Sequence, residues 1–321
     1  MKIGVIGGGA WGTALAHICA QRGEDVRLWA RNQAVVSVIN HDHRNPKYLP
    51  DTALSPSIAA TTDLGDLGEC DLLLVVTPAQ HMREVLSQAT IGTRPLVLCA
   101  KGIEASSQML MSQVARDVCP DAPIAILSGP TFAHEVAAGL PTAVTLACAN
   151  TALAQRIAAR IARPHFRPYV CDDVIGAEIG GAAKNVLAIA CGAIEGRHLG
   201  KNSSAALIAR GFAEMTCFGL AMGAQAETMG GLSGLGDLVL TCTSPASRNY
   251  SLGRCLGRSE AANVGNHVTE GAYTAPVLQK IAQRIGVDMP VTDAVCALLS
   301  GRVDIDEVVS TLLARPLRTE G

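Results

Sequence analysis

Three glycines at GxGxxG spacing, Gly7, Gly9 and Gly12, stand between an apolar β-like run at Lys2–Ile6 and a helical pattern at Ala10–Arg22. A turn this rich in glycine at a strand-to-helix junction constrains the fold more than any other feature. The first glycine permits a tight turn. The second leaves the backbone open to close approach, and the third lets the helix pack against its strand. A helix that starts at such a turn presents free N–H groups and the positive end of its dipole, a setting suited to phosphate. Strand, glycine turn and helix in that order are the context in which GxGxxG signals a dinucleotide-binding Rossmann unit.

The following residues continue the pattern. Short apolar runs at Asp25–Trp29, Asp71–Val76, Pro95–Cys99, Pro123–Leu127 and Thr142–Ala147 alternate with helix-length segments such as Gln80–Gln88 and Ser107–Val118. Strands this apolar, separated by helices, predict a parallel sheet covered on both faces. The more polar, proline-containing segment Asn32–Ser57 predicts a helix followed by a loop. A helix over Ala152–Ile161, capped by Asn150 or Thr151, and a short strand near Phe166–Val170 complete the first half. After Asp172 the strand signals fade, and Ala, Gly, Leu and Met recur at helical spacing. The expected architecture is a doubly wound Rossmann-type α/β domain over residues 1–172, then an all-α domain over 173–321. No fixed-period repeat or low-complexity segment is present.

With 321 residues, 49% hydrophobic and 17% charged, the chain is long and apolar enough for two packed domains. A net charge of −2 gives no general attraction to nucleic acid or to an anionic membrane, so an anionic ligand must be held by a local group of cations. Eleven cysteines, an odd number with no CxxC pair, suggest reduced thiols in a cytoplasmic protein. Met1-Lys2 leads directly into a strand, leaving no room for a signal peptide. The apolar stretch Ser204–Ala224 is interrupted by Arg210 and Glu214, so no membrane span is expected.

Several loops follow strand ends, where open α/β sheets bind ligands. Thr77-Pro78-Ala79-Gln80 contains a rigid Pro78. Ala100-Lys101-Gly102-Ile103-Glu104 presents Lys101, which alone would read as a surface lysine. Ser128-Gly129-Pro130-Thr131-Phe132-Ala133 offers backbone N–H groups at a helix start. Each is compatible with an ordinary loop; together at one sheet edge they describe a site. At the end of the second strand, where NAD-specific sites place an acid, the chain has Arg31. It can pair with a 2′-phosphate, stack on adenine, or simply be solvated.

The second half carries Lys184 and Asn185 in Glu178-Ile-Gly-Gly-Ala-Ala-Lys-Asn-Val-Leu. A lysine on a small-residue apolar helix either snorkels to solvent or is buried for chemistry. Its place directly after a nucleotide-binding domain favours chemistry. Asp237 and Thr241, four residues apart, share a helix face. Ser247-Arg248-Asn249 offers a guanidinium beside hydroxyl and amide donors, a set suited to a phosphate dianion. A capping aspartate and a surface arginine are the plainer alternatives.

In order, GGGAWG, Lys-Gly-Ile-Glu, Ser-Gly-Pro-Thr-Phe-Ala, Ala-Lys-Asn-Val, Gly-Leu-Gly-Asp-Leu and Ser-Arg-Asn resemble the bacterial NAD(P)-dependent glycerol-3-phosphate dehydrogenases over nearly the whole chain. The resemblance implies reversible reduction of dihydroxyacetone phosphate to sn-glycerol 3-phosphate, supplying glycerophospholipid synthesis. It also implies NADPH/NADP or NADH/NAD as cofactor, a homodimer and an interdomain active site. Lys184 would be the proton donor and acceptor, with Lys101 and Asp237 beside it. Lys101, Gly129, Thr131, Lys184, Asn185, Asp237, Thr241, Ser247, Arg248 and Asn249 would contact substrate. Gly7, Gly9, Ala10, Trp11, Gly12, Arg31, Pro78, Lys101, Ala133, Arg248, Val268 and Glu270 would contact cofactor. The cofactor carries the hydride chemistry, so no metal is required. The chain departs from common family forms at Ala10 (often Ser), Ala183 (usually Leu) and His134 (commonly Lys or Arg). Another dehydrogenase of the same architecture and a silent nucleotide sensor are the competing readings. The phosphate-binding set argues against the first, and the retained lysine and aspartate against the second.

Overall fold

The computed structural model describes residues 2–21, 23–260 and 269–313. The expected helix end at Arg22 and the cofactor contact at Val268 lie outside them. The chain begins β1 (Ile3–Ile6), α1 (Ala10–Ala20), β2 (Val26–Trp29), α2 (Gln33–Asp42), β3 (Arg44–Asn45), β4 (Leu49–Ala53), β5 (Ile58–Thr61) and β6 (Leu72–Val75). It continues α3 (Met82–Gln88), β7 (Leu96–Leu98), α4 (Met111–Val118), β8 (Ile124–Ser128), α5 (Ala133–Ala137), β9 (Thr142–Ala147), α6 (Thr151–Ile161) and β10 (Phe166–Cys171). Eight strands form one sheet in the order β10-β9-β8-β7-β6-β1-β2-β5. Strands β1, β6, β7 and β8 are buried at every position, because separate apolar clusters cover the sheet's two faces.

Two expectations need correction. The sheet is not wholly parallel: β9 runs antiparallel to β8, and β10 follows β9 in parallel. The connection from β8 contains only α5, a five-residue helix that packs on α1. The chain therefore turns back rather than making a full helical crossover. The second correction concerns the segment after α2. In place of a plain loop, β3 and β4 form an antiparallel hairpin, and β5 then joins the edge of the main sheet beside β2. The hairpin is mostly exposed and carries Pro50 and Asp51, which hide its strand character from an alternation test.

From Val174 onward every described element is helical: α7 (Val174–Gly196), α8 (Gly200–Ala221), α9 (Ala226–Met229), a π turn (Leu232–Gly236), α10 (Asp237–Thr243), α11 (Arg248–Gly257), α12 (Glu270–Ile285), α13 (Pro290–Leu299) and α14 (Ile305–Leu313). Helix α7 is the axis of this part. It is long and apolar enough to cross a membrane, but 89% of its most apolar 18 residues are buried within the protein. That property belongs to α7 rather than to the Ser204–Ala224 stretch singled out from composition.

Glycines set how closely its neighbours approach. A Cβ on Gly192 would lie 2.0 Å from the Tyr250 carbonyl oxygen, and one on Gly253 equally close to that of Ile189. Helices α7 and α11 therefore pack backbone to backbone. This fixes the start of α11, and Ser247-Arg248-Asn249 with it.

Candidate active site

The loops after β6, β7 and β8 lie at one end of the sheet, and α7 passes beneath them. Gly129, at φ +145, holds a conformation that an L side chain rarely adopts, and a Cβ there would meet the Val144 Cα at 3.0 Å. Its carbonyl accepts a hydrogen bond from Lys101 Nζ at 2.9 Å. Lys101 thereby turns from its loop toward α10.

Lys184 arrives from the opposite side, in the middle of α7. The π turn before α10 can reach α7 because Gly180 has no side chain: a Cβ there would sit 2.4 Å from the Ser233 carbonyl oxygen. Asp237 follows that turn without a break as the first residue of α10. Its Oδ1 accepts from Lys184 Nζ at 2.7 Å, and its Oδ2 from Lys101 Nζ at 2.6 Å. Thr241, one turn on, accepts a second bond from Lys184 Nζ at 2.7 Å. Asp237 is wholly buried and Lys184 is 7% exposed.

Two ammonium groups thus share one buried carboxylate, with Lys184 buried and Lys101 partly buried. The surplus positive charge calls for an anion. Burial lowers the Lys184 pKa to about 8; the Lys101 charge pushes in the same direction, while Asp237 opposes both. At neutral pH Lys184 is mainly protonated yet holds its proton loosely.

An amide chain extends from this group. Asn185 donates to the carbonyls of Lys101 (3.4 Å) and Gly181 (3.3 Å). Asn249 donates to Asn185 Oδ1 at 3.0 Å and accepts from Gly271 N at 3.0 Å. The chain ties the Lys101 loop to α7, α11 and α12. Ser247 Oγ caps α11 by accepting from Tyr250 N, leaving its own hydroxyl proton free to donate. Arg248 is exposed at the start of α11. Thr131 Oγ1 donates to the Gly129 carbonyl at 3.2 Å.

The dinucleotide end lies at β1 and α1. Gly7 has φ +133, and a Cβ on Gly12 would lie 1.8 Å from the Gly7 carbonyl oxygen, so both positions require glycine. A Cβ on Gly9 would meet nothing within 4 Å. No side chain caps α1, whose first N–H groups at Ala10 and Trp11 are therefore available. Trp11 Nε1 is buried without a partner. These residues fit a dinucleotide: an open cradle, uncapped donors and an orphaned N–H. Arg31 is exposed beyond β2, Pro78 is half-buried after β6, and Ala133 opens α5.

Glu270, at the start of α12, accepts from Ala79 N at 3.1 Å across the two halves. Its other oxygen is buried without a partner, and burial raises its pKa. Lys101, Gly129, Lys184, Asn185, Asp237, Thr241 and Asn249 form one bonded group, whereas Arg31 and Trp11 belong to the separate dinucleotide end. A distinct cleft of about 320 Å³, lined by Ser112, Arg116, Asp173 and Gln225 among others, includes none of the Lys184 group.

Sequence reading overlooked the part played by Glu178. Its buried carboxylate accepts from Ser112 N at 2.7 Å and Ser112 Oγ at 2.5 Å, tying α7 to the sheet-bearing half. Burial pushes its pKa up to about 7. An acid in a small-residue apolar helix was the available signal.

Comparison with known proteins places the whole chain in one family. Residues 2–154 match the family model for the NAD-dependent glycerol-3-phosphate dehydrogenase N-terminus, and residues 173–310 match that for its C-terminus. The chain is 58% identical to a glycerol-3-phosphate dehydrogenase [NAD(P)+] of Sphingopyxis alaskensis, covering 100% of this chain and 98% of that protein. It is 59% identical to the one from Erythrobacter litoralis, over 99% and 98% of the respective chains. Among solved structures, glycerol-3-phosphate dehydrogenase from Coxiella burnetii superposes with a TM-score of 0.92 at 36% identity, over 98% of this chain and 99% of that one. D-mandelate dehydrogenase, at 16% identity and a TM-score of 0.65, shares the fold alone. Two family models spanning both halves, with relatives this similar along their whole length, place the chain in the NAD-dependent glycerol-3-phosphate dehydrogenase family.

Proposed function

We propose that this chain reduces dihydroxyacetone phosphate to sn-glycerol 3-phosphate, reversibly, with Lys184 as proton donor and acceptor. The observation that carries this reading is a pair of lysines, Lys184 buried and Lys101 partly so, on one buried aspartate, a site one negative charge short. A nicotinamide cofactor, NADH or NADPH, supplies the hydride when bound, held by residues 1–172. Lys184 Nζ stabilises the oxygen developing at C2 and passes it a proton, which its lowered pKa eases. Asp237 and Thr241 fix the direction of the ammonium, and Lys101 adds a second cation over the same space.

Arg248, the Ser247 hydroxyl and the remaining N–H of Asn249 bind the phosphate. They set the distance from C2 to the cofactor. Gly129, Thr131 and Asn185 line the substrate side. Gly7, Gly9, Ala10, Trp11, Gly12, Pro78, Ala133 and Glu270 line the cofactor side. Residues 173–321 supply most of the chemistry.

The product feeds glycerophospholipid synthesis in the cytoplasm, a location that the chain's free thiols suit. The assembly expected from the resemblance is a homodimer. Oxidation of NADH and NADPH with dihydroxyacetone phosphate, set against unphosphorylated dihydroxyacetone, tests the reading. Equal rates with both ketones would reject the phosphate site.

A further inference from the structure

The hairpin that sequence analysis read as loop places Asn45 against the glycine-rich turn. Asn45 is 1% exposed. Its Nδ2 donates to the Gly8 carbonyl oxygen at 3.2 Å and to Thr13 Oγ1 at 2.8 Å. A carbonyl can only accept, so pairing with Gly8 requires the amide nitrogen on that side. A buried amide is costly unless paired; Asn45 Oδ1 has no partner, and both side-chain bonds, made by Nδ2, go to the turn and first helical turn of α1. The hairpin is in turn held by Leu49 and Leu54, both in the core beneath the sheet. Gly8 is confined on its other flank, since a Cβ there would lie 2.4 Å from the Ala30 Cβ.

We propose that Asn45 is a positioning residue for the turn that receives the cofactor's pyrophosphate. In a planar trans peptide the carbonyl and the following N–H point in opposite directions. Holding the Gly8 oxygen therefore fixes the direction of the Gly9 N–H, at the residue where the turn is open. Without Asn45 this glycine-flanked peptide is free to rotate, and a phosphate must order it on binding. The bond to Thr13 keeps the amide from turning away. This inference rests on the reading that the Gly7–Gly12 turn binds pyrophosphate.

The test is direct binding, followed by quenching of tryptophan fluorescence in the purified full chain. Probes are NADH, NADPH and ADP, which carry the pyrophosphate, and AMP, which does not. For Asn45→Ala the dissociation constants of the first three rise by one common factor, about 3- to 10-fold, while that of AMP stays level. Asn45→Asp, nearly isosteric and facing the Gly8 oxygen with a carboxylate, weakens them further. In turnover the change falls on KM for the cofactor more than on kcat.

Gly9→Ala is measured alongside. If it leaves ADP binding unchanged, the turn is not the pyrophosphate site, and the underlying reading fails. If Gly9→Ala weakens ADP while folded Asn45→Ala binds it like the wild type, the role of Asn45 alone is overturned. A loss that extends equally to AMP also overturns it, because it marks a general disturbance of the nucleotide site. Should Asn45→Ala not fold, Thr13→Val decides by the same readout: about 2- to 3-fold weaker ADP binding supports the inference, and wild-type binding rejects it.

Discussion

Lys184 and Asp237, 53 residues apart in sequence, meet at 2.7 Å in the interior of the helical half. Their pairing is possible because Gly180 lets the turn before α10 lie directly on α7. The carboxylate serves a second lysine with its other oxygen, so neither ammonium is fully compensated. This shortage connects packing to chemistry, since both lysines remain available to an incoming anion.

Replacing Lys184 by alanine should remove nearly all turnover and leave cofactor binding close to the wild type. Loss of a general acid and oxyanion partner typically costs about 10²–10⁴-fold in rate. Steady-state turnover and fluorescence titration with NADH check the two halves of the claim. Near-normal turnover in the pure variant rejects the assignment.

The pH dependence follows from the same group. Ketone reduction needs protonated Lys184, so kcat/KM should fall as pH rises through about 8. Asp237 raises that pKa, so Asp237→Asn should shift the falling limb to lower pH as well as reduce the rate. A limb that stays in place in the variant would show that Lys184 is not the titrating group.

Arg248→Ala should weaken substrate binding by roughly 10- to 100-fold, the scale of a lost charge-assisted hydrogen bond. Asn249→Ala should weaken it less but lower the melting temperature more, because Asn249 also joins Asn185 to Gly271 N. KM for dihydroxyacetone phosphate and thermal melts on both variants decide. A single pattern for the two would contradict this division of roles.

Cofactor choice should rest on Arg31. Beyond β2 the chain presents this exposed guanidinium and no acid, so NADPH should be accepted at least as well as NADH. Arg31→Ala should lower kcat/KM for NADPH selectively. Equal loss for both cofactors would indicate stacking on adenine, and a wild type inactive with NADPH would refute the pairing.

Stability should also respond to Glu178, an acid whose folded pKa of about 7 lies above its ordinary value. The folded state then binds more protons than the unfolded state between about pH 4.5 and 7. This contribution is complete at low pH and is lost as pH rises through 7. Glu178→Gln should therefore melt at or above the wild type at pH 8, with the advantage shrinking as pH falls toward 5. An advantage that grows on acidification would reverse the sign and reject the account.

The strands and helices around the glycine turn, the change to an all-helical second half and the residue types of the site were legible in the sequence. Strand–helix alternation, glycine spacing and a lysine on an apolar helix are local patterns with local causes. The antiparallel β9, the β3–β4 hairpin and the edge strand β5 were not, since pairing direction depends on where the chain turns rather than on which residues are apolar. Residue patterns likewise marked Lys101, Lys184 and Asp237 separately, and only the family resemblance set them side by side. Their shared carboxylate depends on α7 and α10 approaching to backbone distance at Gly180. Asn45 was hidden for the same reason: an asparagine in a polar segment reads as loop until the fold sets it against the Gly8 carbonyl. Local propensity decided the elements, while the charge balance of the site and the bracing of its turn arose only from long-range contacts.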